Sequence, residues 1–520
     1  MDLLLDVNVA VDVCTKRLPF YPDADLAVAK CLYEGGRLWL YAGSVQTLEY
    51  VTRQELTQSQ PPDSPSPSAK QRARQARHLL KVFAADKHWL AALADEGAVF
   101  DSDDPEDEQL IRALNRFPPG TIKLLTRDRK LLDAHPGQTI TPTQYCQWPL
   151  ESAALEFIDL KAQQDRMRPA LEERVHRVFH HGHYIMGPEI AELEATLAEY
   201  VGVTHCITVA SGTDSLEIAL RALGIGPGDE VITVPFTWIS SAEVIGLVGA
   251  TPVFVDIDPA SFNMDVTKIE AAITPRTRAI LPVSLFGQMP DYTAINAIAA
   301  RYRLAVIEDA AQSFGATQQG RRSGGVTTVG STSFFPAKPF GCYGDGGALF
   351  TDDDGLAEKM RAIRTHGGIQ RHHHPLLGMN GRFDTLQAAV LLAKWPGFAA
   401  EVEARSRIGA RYSEQLKDCC VTPPVMPGNT HVYAQYTIRV AERARVSEVL
   451  KAQGIPTAVY YPKCLHEQPV FAGLGDQRGD FPEAERASRE VLSLPMHPFL
   501  GEREQDRVSA AVWTAVGDRT

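Results

Sequence analysis

Short apolar runs alternate with helical patterns through the middle of the chain, and this alternation constrains its fold most strongly. The runs lie at His205–Ala210, Glu230–Val234, Pro252–Asp256, Ala279–Ser284 and Leu304–Asp309. Helical patterns such as Leu216–Leu223 separate them. Strands that alternate with helices are typical of βαβ units, which build parallel sheets. The sequence therefore predicts an α/β fold for this region.

A glycine turn follows the first of these strands. Ser211, Gly212 and Thr213 lead directly into the helical pattern that contains Leu216. A helix start of this kind presents free backbone N–H groups and the positive end of the helix dipole, which suits a phosphate group. Many α/β turns share the pattern, so Gly212 and Thr213 indicate a phosphate site only together with other residues.

Two later strands are followed by residues that suit a planar ring. Trp238 comes after the second strand, where its side chain could stack on such a ring; the alternative is a core tryptophan. Asp309 ends the fifth strand, and a carboxylate there can keep a pyridine nitrogen protonated. Gln312 is placed to reach a ring hydroxyl. Asp309 could also cap the helix that follows, and the two roles are compatible.

A lysine lies between an apolar run and a glycine-rich turn in the stretch SFFPAKPFGCYGDGG, residues 333–347. The amine of a partly desolvated lysine can form a Schiff base with an aldehyde cofactor. Taken alone, a lysine before such a turn is usually a solvated loop residue. Here Lys338 stands 29 positions after Asp309, and the order of phosphate turn, aromatic, acid and lysine is typical of fold-type I pyridoxal phosphate enzymes. Ser333 would add a second phosphate contact.

Composition limits the classes of protein. The chain has 520 residues, which exceeds one ordinary core and favours two or three domains. A formal net charge of −12 argues against nucleic-acid binding by the whole chain. The eight cysteines lack paired metal spacing and are expected to be reduced thiols of a cytoplasmic protein. Asp2 and Asp6 interrupt the first apolar run, so neither a signal peptide nor a membrane span is expected.

Residues 1–147 form a first segment with its own pattern. An apolar strand is predicted over Leu3–Asp12, a second over Leu38–Tyr41 and a third from Ile122, with helical patterns between them. Residues 57–69 are rich in Pro and Ser and are interpreted as a surface insertion. The segment is therefore predicted to be a small parallel α/β domain.

Acidic residues at strand ends and helix starts of this segment are candidate metal ligands. They are Asp6, Glu49, Asp107 and Asp128, with Asp104 as a rival for the third. Clustered carboxylates are usually held together by Mg²⁺ or Mn²⁺. With LLLDVNV and LLTRDRKLL, the segment resembles the PIN-domain family of metal-dependent ribonucleases. The resemblance implies that these acids bind metal and that RNA is a substrate; the alternative is a docking or regulatory module without activity.

From Phe157 to about Leu500 the chain resembles the DegT/DnrJ/EryC1/StrS family of nucleotide-sugar aminotransferases. The resemblance is carried by SGTDSLEIAL, GPGDEVITVPFTW, IEDAAQSFGA and SFFPAKPFGCYGDGGA. Within the family the chain is most similar to the UDP-2-acetamido-2-deoxy-3-oxo-glucuronate aminotransferases of surface-polysaccharide synthesis. The resemblance implies pyridoxal 5'-phosphate on Lys338, a large cofactor-binding domain over 155–395 and a smaller C-terminal α+β domain over 396–515.

The resemblance also implies a homodimer with shared active sites. In the family, the residues matching Asn380 and Arg382 reach into the partner's site, Asn380 to bind phosphate and Arg382 to pair with a substrate carboxylate. Taken alone, Asn380 and Gly381 read as an ordinary turn. Tyr460 and Tyr461 are expected to contact the substrate. Uronate-type members carry a histidine at the position of Tyr460, and this departure bears on the identity of the sugar.

The expected reaction is transamination of a keto-sugar nucleotide, a UDP-3-keto-N-acetylhexosaminuronate, with L-glutamate as amino donor. Another 3- or 4-keto nucleotide sugar is an alternative substrate. A dehydratase of the family would carry histidine in place of Lys338, and a sensor without turnover is disfavoured because Lys338 and Asp309 are both present. The remaining alternative is a metal-dependent ribonuclease for which the second domain is a scaffold.

Overall fold

The computed structural model describes residues 2–15, 24, 27–28, 31, 37–41, 48, 51–52, 88–90, 110–111, 117, 122–135, 137–147 and 155–517. The chain divides into two compact units, Met1–Ser152 and Ala153–Thr520. Each unit is described by itself. Among the helices of the described residues, none combines the length and the apolar character that crossing a membrane requires.

The first unit contains a parallel sheet. Its strands in the described residues are β1 (Asp2–Leu5), β2 (Leu38–Tyr41), β3 (His88–Leu90), β4 (Ile122–Leu125) and β5 (Thr139–Ile140), in the order β3-β2-β1-β4-β5. All neighbouring strands are parallel. The accompanying helices include α1 (Val7–Thr15), α2 (Arg129–Ala134) and α3 (Pro142–Gln147). This is the parallel α/β arrangement that the sequence predicted for the segment.

The first predicted strand is too long. Strand β1 ends at Leu5, and the Ala10 N–H donates to the Asp6 carbonyl at 2.9 Å, which starts helix α1. Val7, Val9 and Val11 are all buried in the helix. Apolar residues lie on both sides of Asp6, and a short apolar segment fits either a buried strand or a buried helix, so the sequence does not reveal the change from strand to helix.

The second unit is built around a mixed sheet of seven strands. They are β6 (His205–Val209), β7 (Glu230–Thr233), β8 (Thr251–Phe254), β9 (Thr277–Ile280), β10 (Ala305–Asp309), β13 (Val329–Ser333) and β14 (Gly347–Thr351), in the order β6-β14-β13-β10-β9-β7-β8. Strands β11 (Thr317–Gln318) and β12 (Arg321–Arg322) form a separate antiparallel pair. Each of the five predicted runs overlaps a strand of the large sheet, so the α/β prediction is confirmed.

One of these strands is displaced from its predicted position. Strand β9 covers Thr277–Ile280 rather than Ala279–Ser284. Pro282 has no N–H to donate to a neighbouring strand, and the strand ends before it. The Pro282 carbonyl instead accepts a hydrogen bond from the Asp309 N–H at 3.0 Å.

Helices cover the large sheet. They are α4 (Leu160–His181), α5 (Pro188–Val201), α6 (Gly212–Ala222), α7 (Ser240–Leu247), α8 (Val266–Ala272), α9 (Tyr292–Tyr302), α10 (Asp354–Arg364) and α11 (Thr385–Leu416). Helix α4 begins at Leu160, where the Asp159 carboxylate accepts from the Ala162 N–H and caps the start of the helix.

The C-terminal part of the unit is a smaller α+β region. Strands β15 (Tyr436–Arg439) and β16 (Val491–Leu494) pair antiparallel beside α12 (Arg443–Ala452), α13 (Pro482–Glu490) and α14 (Glu502–Gly517). An α+β region at this end is what the family resemblance implied. Helix α11 runs without interruption across the predicted boundary at residues 395 and 396, and the division of this unit into two domains stays a prediction.

Candidate active site

The candidate site lies where parallel strands of the second unit end together. Strands β10 and β13 are parallel, and β6 has the same direction because β14 runs antiparallel between β6 and β13. The carboxyl ends of parallel strands meet at one edge of a sheet, where α/β proteins bind their ligands. The chain therefore brings the turn after β6, the end of β10 and the end of β13 to one edge.

Gly347 sets the spacing between two of these ends. It is the first residue of β14 and pairs with Val209 on one side and Ser333 on the other. A Cβ at Gly347 would lie 2.6 Å from the Ser211 carbonyl oxygen and 2.8 Å from the Thr332 carbonyl oxygen. A side chain at this position would push the turn and the end of β13 apart.

The predicted phosphate residues are adjacent. A Cβ at Gly212 would lie 2.6 Å from the Ser333 Cβ, so only glycine lets the two backbones approach this closely. Ser211 caps helix α6 by accepting from the Asp214 N–H at 3.0 Å. The Thr213 hydroxyl is 2.8 Å from the Ser240 hydroxyl at the start of α7. The N-terminus of α6, with its positive dipole end, thus lies beside Ser333.

Asp309 is a buried carboxylate at the end of β10, with 7% of its surface exposed. Its Oδ2 accepts from the Ser241 hydroxyl at 2.9 Å, and its Oδ1 accepts from the Ala311 N–H at 3.2 Å. Burial raises the pKa of Asp309, whereas the two hydrogen bonds and the charge of Lys338 act in the opposite direction. The bond from the Ala311 N–H also fits the capping role considered for this residue.

Lys338 is half-buried and electrostatically coupled to Asp309. Burial lowers the pKa of its amine, and the Asp309 charge works against that shift. The residue lies in the segment 334–346, which we call the lysine loop. This loop is closed by the Phe334 N–H, which donates to the Gly346 carbonyl at 2.8 Å, and by the Cys342 N–H, which donates to the Phe334 carbonyl at 2.7 Å.

Gln312 joins the acid end of the site to Tyr461. Its Oε1 accepts from the Phe286 N–H at 2.8 Å, and its Nε2 donates to the Tyr461 hydroxyl at 2.9 Å. The Tyr461 ring centroid is 6.4 Å from that of Trp238. Trp238 is 60% exposed, which excludes the core alternative and leaves its indole face accessible.

Tyr460 packs beside Tyr461. Its ring centroid is 6.5 Å from the ring of Phe157 and 5.9 Å from the ring of Tyr461. Burial raises the pKa of its hydroxyl, and a hydrogen bond with Gln435 opposes that rise. Half of its side chain is covered.

Asn380 and Arg382 lie on a surface segment beside the glycine turn. The Gly381 carbonyl accepts from the Ala210 N–H at 2.9 Å, which ties the segment to the end of β6. The Arg382 Nε donates to the Asn380 Oδ1 at 2.9 Å. Asn380 is exposed and Arg382 is half-buried. Contacts of these two residues with a second subunit stay a prediction.

Two serines complete the site and were missed by the sequence analysis. Ser240 bonds to Thr213 and Ser241 to Asp309, so the first turn of α7 holds both the phosphate end and the acid end. The signal available in the sequence is a pair of serines two and three positions after Trp238, at a helix start. Serine is common at helix starts, so this signal is weak.

The candidate metal ligands of the first unit are described only in part. The Asp6 Oδ2 accepts from the Thr126 hydroxyl at 2.8 Å, and Asp128 caps α2 by accepting from the Lys130 N–H at 2.7 Å. Glu49, Asp107 and Asp104 lie outside the described residues. Within the described residues, no group of three or more His, Cys, Asp or Glu side chains is arranged to hold a metal ion. The metal site stays a prediction.

The second unit offers the parts that pyridoxal phosphate requires. A cradle that a Cβ would fill lies at Gly212 beside a helix N-terminus, which suits the phosphate. A buried carboxylate, Asp309, suits a protonated ring nitrogen. Lys338, coupled to that carboxylate and with a lowered pKa, suits attachment of an aldehyde. The residues present therefore fit this cofactor.

Comparison with known proteins gives consistent results. Residues 165–513 match the model of the DegT/DnrJ/EryC1/StrS aminotransferase family. The chain is 53% identical over 347 residues to the UDP-2-acetamido-2-deoxy-3-oxo-D-glucuronate aminotransferase of Pseudomonas aeruginosa, covering 66% of this chain and 96% of that protein. It is 42% identical over 363 residues to the UDP-N-acetyl-3-dehydro-alpha-D-glucosamine 3-aminotransferase of Acidithiobacillus ferrooxidans, covering 70% of this chain and 98% of that protein.

A solved structure supports the same assignment of the fold. The chain superimposes on NtdA of Bacillus subtilis, solved with the bound cofactor PMP, with a TM-score of 0.66 and 28% sequence identity. The superposition covers 85% of this chain and 98% of that structure. PMP is the amino form of pyridoxal phosphate, so a related fold holds the cofactor that the residues described above fit.

Proposed function

This chain belongs to the DegT/DnrJ/EryC1/StrS aminotransferase family, and from that premise we propose that it aminates the 3-keto group of a UDP-linked 2-acetamido-2-deoxy-3-oxo-hexuronate. L-glutamate is the proposed amino donor, and surface-polysaccharide synthesis is the proposed use of the product. The observation that carries the proposal is the meeting of the Gly212 turn, Ser333 and buried Asp309 at one edge of the sheet, with Lys338 in the loop that follows Ser333.

Pyridoxal phosphate is the cofactor of this aminotransferase. When bound, it supplies an aldehyde for the amino group and a ring that withdraws electrons from the reacting carbon. In the proposal, the N–H groups of the Gly212 turn, the Thr213 hydroxyl and Ser333 hold the phosphate. Trp238 lies against one ring face, and Asp309 keeps the ring nitrogen protonated.

Lys338 is proposed to carry the cofactor at rest and to move the proton during the reaction. Because burial lowers the pKa of its amine, the neutral form needed for attachment and for proton removal is more accessible than for a solvated lysine. The amine would take the proton from the α-carbon of the amino donor. In the sugar half-reaction it would deliver a proton to the sugar carbon that receives the amino group.

Asp309 is proposed to act by its charge. Its carboxylate would pair with the ring nitrogen, and the hydrogen bonds from Ser241 and Ala311 lower its pKa against the rise that burial causes. An ionised group fixed in a water-poor site stabilises the developing charge more than the same group in water. Gln312 is proposed to contact the ring hydroxyl while it holds Tyr461.

The substrate is assigned from the relatives and from Arg382. The relative from Pseudomonas aeruginosa is named for a 3-oxo-glucuronate and the one from Acidithiobacillus ferrooxidans for a 3-dehydro-glucosamine, so the two differ in a carboxylate. Arg382 could pair with that carboxylate through its guanidinium. Tyr460 stands where uronate-type members carry histidine, and the neutral 3-keto sugar is therefore the second candidate substrate.

A homodimer with shared sites is part of the proposal. The Thr385 N–H donates to the Tyr184 carbonyl at 2.9 Å, so residues 184–186 lie beside the segment that carries Arg382. Tyr184, Ile185 and Met186 are exposed by 48%, 46% and 39%, which makes an apolar strip next to two polar residues. A second copy over this strip would bury it and receive Asn380 and Arg382.

The first experiment follows the visible absorption of the lysine-bound cofactor. We expect the purified chain to carry this band, L-glutamate to remove it, and the UDP-3-keto-uronate to restore it. Because 3-keto sugars decompose, the reverse reaction from the 3-amino sugar and 2-oxoglutarate provides a second route. Borohydride reduction followed by peptide mass mapping should place the cofactor on Lys338. Lys338→Ala should lose the band, and Lys359→Ala, at an exposed position on α10, should keep it.

The outcomes separate the parts of the proposal. If the neutral 3-keto sugar restores the band and the uronate does not, the neutral sugar is the substrate. The proposed aminotransferase activity then stands. Absence of the band at saturating cofactor would overturn the proposal. The shared site is tested by co-expressing Lys338→Ala with Arg382→Gln. If each site takes residues from both subunits, a mixed dimer has one intact site. Random mixing should then restore about a quarter of the wild-type activity. If each site lies within one subunit, no activity should return.

A further inference from the structure

Lys394 is a buried cation that the proposed reaction does not use. It lies on α11 with 3% of its surface exposed. Its Nζ donates to the Gly341 carbonyl of the lysine loop at 2.7 Å and lies 4.1 Å from the centroid of the Tyr343 ring. Burial lowers the pKa of Lys394 to about 8, while Glu401 and Cys342 act in the opposite direction. Its polar contact and its aromatic contact are therefore both with the lysine loop.

A second residue of α11 contacts the same loop. The Gln387 Oε1 accepts from the Tyr343 N–H at 2.8 Å, and its Nε2 donates to the Tyr343 carbonyl at 3.2 Å. Residues seven positions apart lie on the same face of a helix, two turns from each other. Gln387 and Lys394 therefore contact the lysine loop from one face of α11, at points two turns apart.

The point that Lys394 holds is a tight turn around the catalytic lysine. The Lys338 N–H donates to the Phe335 carbonyl at 2.8 Å. A Cβ at Gly341 would lie 2.5 Å from the Pro336 carbonyl oxygen and 2.6 Å from the Phe335 carbonyl oxygen. Because the turn is this compact, fixing the Gly341 carbonyl also fixes the backbone that carries Lys338.

Packing alone does not account for a lysine at this position. Val390 and Ala393 on the same helix, with Leu171 of α4, form a small apolar cluster that Tyr343 packs against. An apolar side chain would fill the space beside such a cluster without the cost of burying a charge. What an apolar side chain lacks is a charged donor for the Gly341 carbonyl and a cation for the face of the Tyr343 ring.

We propose that Lys394 is a positioning residue that fixes the lysine loop through Gly341 and Tyr343 and thereby sets the place of Lys338 relative to Asp309. The inferred effect on catalysis rests on the proposed function, in which Lys338 is the catalytic lysine. The contact itself belongs to the cofactor-free chain and is measurable there.

The test compares Lys394→Met, Lys394→Arg and the surface control Lys359→Met. Lys394→Met keeps the length of the side chain and removes the charge and the donor. In the cofactor-free protein, we expect amide exchange over residues 335–345 to rise about tenfold or more, because the Gly341 carbonyl loses its buried partner. Exchange over Ala305–Asp309 should stay unchanged, and Lys394→Arg should restore part of the protection.

In the holoenzyme, a misplaced Lys338 should affect the chemical step more than donor binding. We expect Lys394→Met at saturating cofactor to lower kcat about tenfold or more, with the KM for L-glutamate within about threefold of wild type. Lys394→Arg should recover part of this loss. If Lys394→Met does not fold, Tyr343→Leu, which removes the ring beneath the ammonium, takes its place with the same measurements.

The outcomes are distinct. Unchanged loop exchange and unchanged kcat in Lys394→Met would overturn the inference and leave the proposed function standing. A uniform rise in exchange across the second unit would also overturn it, since that result indicates a general loss of stability. Absence of the visible band in the wild-type protein would instead count against the proposed function. The exchange measurement would still test whether Lys394 fixes the lysine loop.

Discussion

The cofactor side and the substrate side of the candidate site are built differently. The cofactor side comprises Gly212, Thr213, Asp309, Ser333 and Lys338. Asp309 and Ser333 end strands of one sheet, Gly212 and Thr213 begin the helix after β6, and Lys338 lies in the lysine loop after β13; Asp309 is buried. The substrate side comprises Arg382, Tyr460 and Tyr461. These lie outside the strands, and all three are half-buried. The first group is fixed by sheet topology within one chain, and the second depends on loops.

The difference indicates how a family can keep one chemistry and change its substrate. Residues on strand ends are held by the hydrogen bonds between strands and by the packed core, so their geometry is rigid. Loops tolerate substitution and carry specificity. Substitutions on the cofactor side should therefore reduce turnover with every substrate, whereas substitutions on the substrate side should change the ratio between substrates.

The largest effect is expected for Asp309→Asn. The amide is nearly isosteric but carries no charge, so the ring nitrogen loses its anionic partner, and kcat should fall about 100- to 1,000-fold with every sugar tested. Steady-state kinetics with both 3-keto sugars measures the effect. Asp309→Glu keeps the charge and should recover part of the rate. If Asp309→Asn is as active as wild type, Asp309 does not act as the anionic partner of the ring nitrogen.

Gly212→Ala should weaken the cofactor complex rather than the chemistry. The new Cβ would meet the Ser333 Cβ at 2.6 Å, so the phosphate cradle must open. We expect the Kd for pyridoxal phosphate to rise about 10- to 100-fold, which corresponds to a typical overpacking cost. A titration of the visible band measures it. Gly246→Ala on α7, where a Cβ meets nothing within 4 Å, is the matched control and should bind normally.

Ser241→Ala should shift the pH dependence of the reaction. The Ser241 hydroxyl donates to the Asp309 carboxylate and lowers its pKa, so removal of the hydroxyl raises that pKa further. Since the ionised carboxylate is the active form, the acid limb of the kcat profile should move to higher pH. At neutral pH we expect about a tenfold loss, the usual size for a hydrogen bond to a charged group. An unchanged acid limb would mean that Asp309 does not control the profile.

Tyr460→His should give the smallest effect and the sharpest contrast. The substitution introduces the residue of uronate-type members on the substrate side. We expect the ratio of kcat/KM for the uronate over the neutral sugar to rise a few-fold, within about tenfold, as for one added polar contact. The L-glutamate half-reaction should remain within about twofold of wild type. A large loss in that half-reaction would place Tyr460 on the cofactor side.

The cofactor side was predictable because its signals are local. Lys338 precedes a glycine turn, which predicts a loop position. Asp309 ends an apolar run, which predicts the end of a strand. The bond between Ser241 and Asp309 was not predictable, because it joins residues 68 positions apart through the packing of α7. The same holds for Gly347, whose role depends on two strands far from each other in the sequence.

The fold was predictable to the level of strand order along the chain, with errors at boundaries. The run from Leu3 to Asp12 changes from strand to helix at Asp6, and the residues on both sides of Asp6 are apolar. Proline ended β9 earlier than the apolar pattern indicated. The position of β14 between β6 and β13 carries no local signal, because an antiparallel insertion is specified only by pairing across the sheet.

That insertion also governs when the site is assembled during synthesis. Among the described residues, strand β6 is at the edge of its sheet and pairs only with β14, and more than 100 residues separate the two strands in the chain. Closing a loop of this length is slow compared with local helix formation. A nascent chain that ends before residue 347 therefore has its phosphate turn but lacks the strand that places it beside Ser333. Its β6 edge is unpaired, which makes the incomplete chain prone to aggregation until β14 emerges from the ribosome.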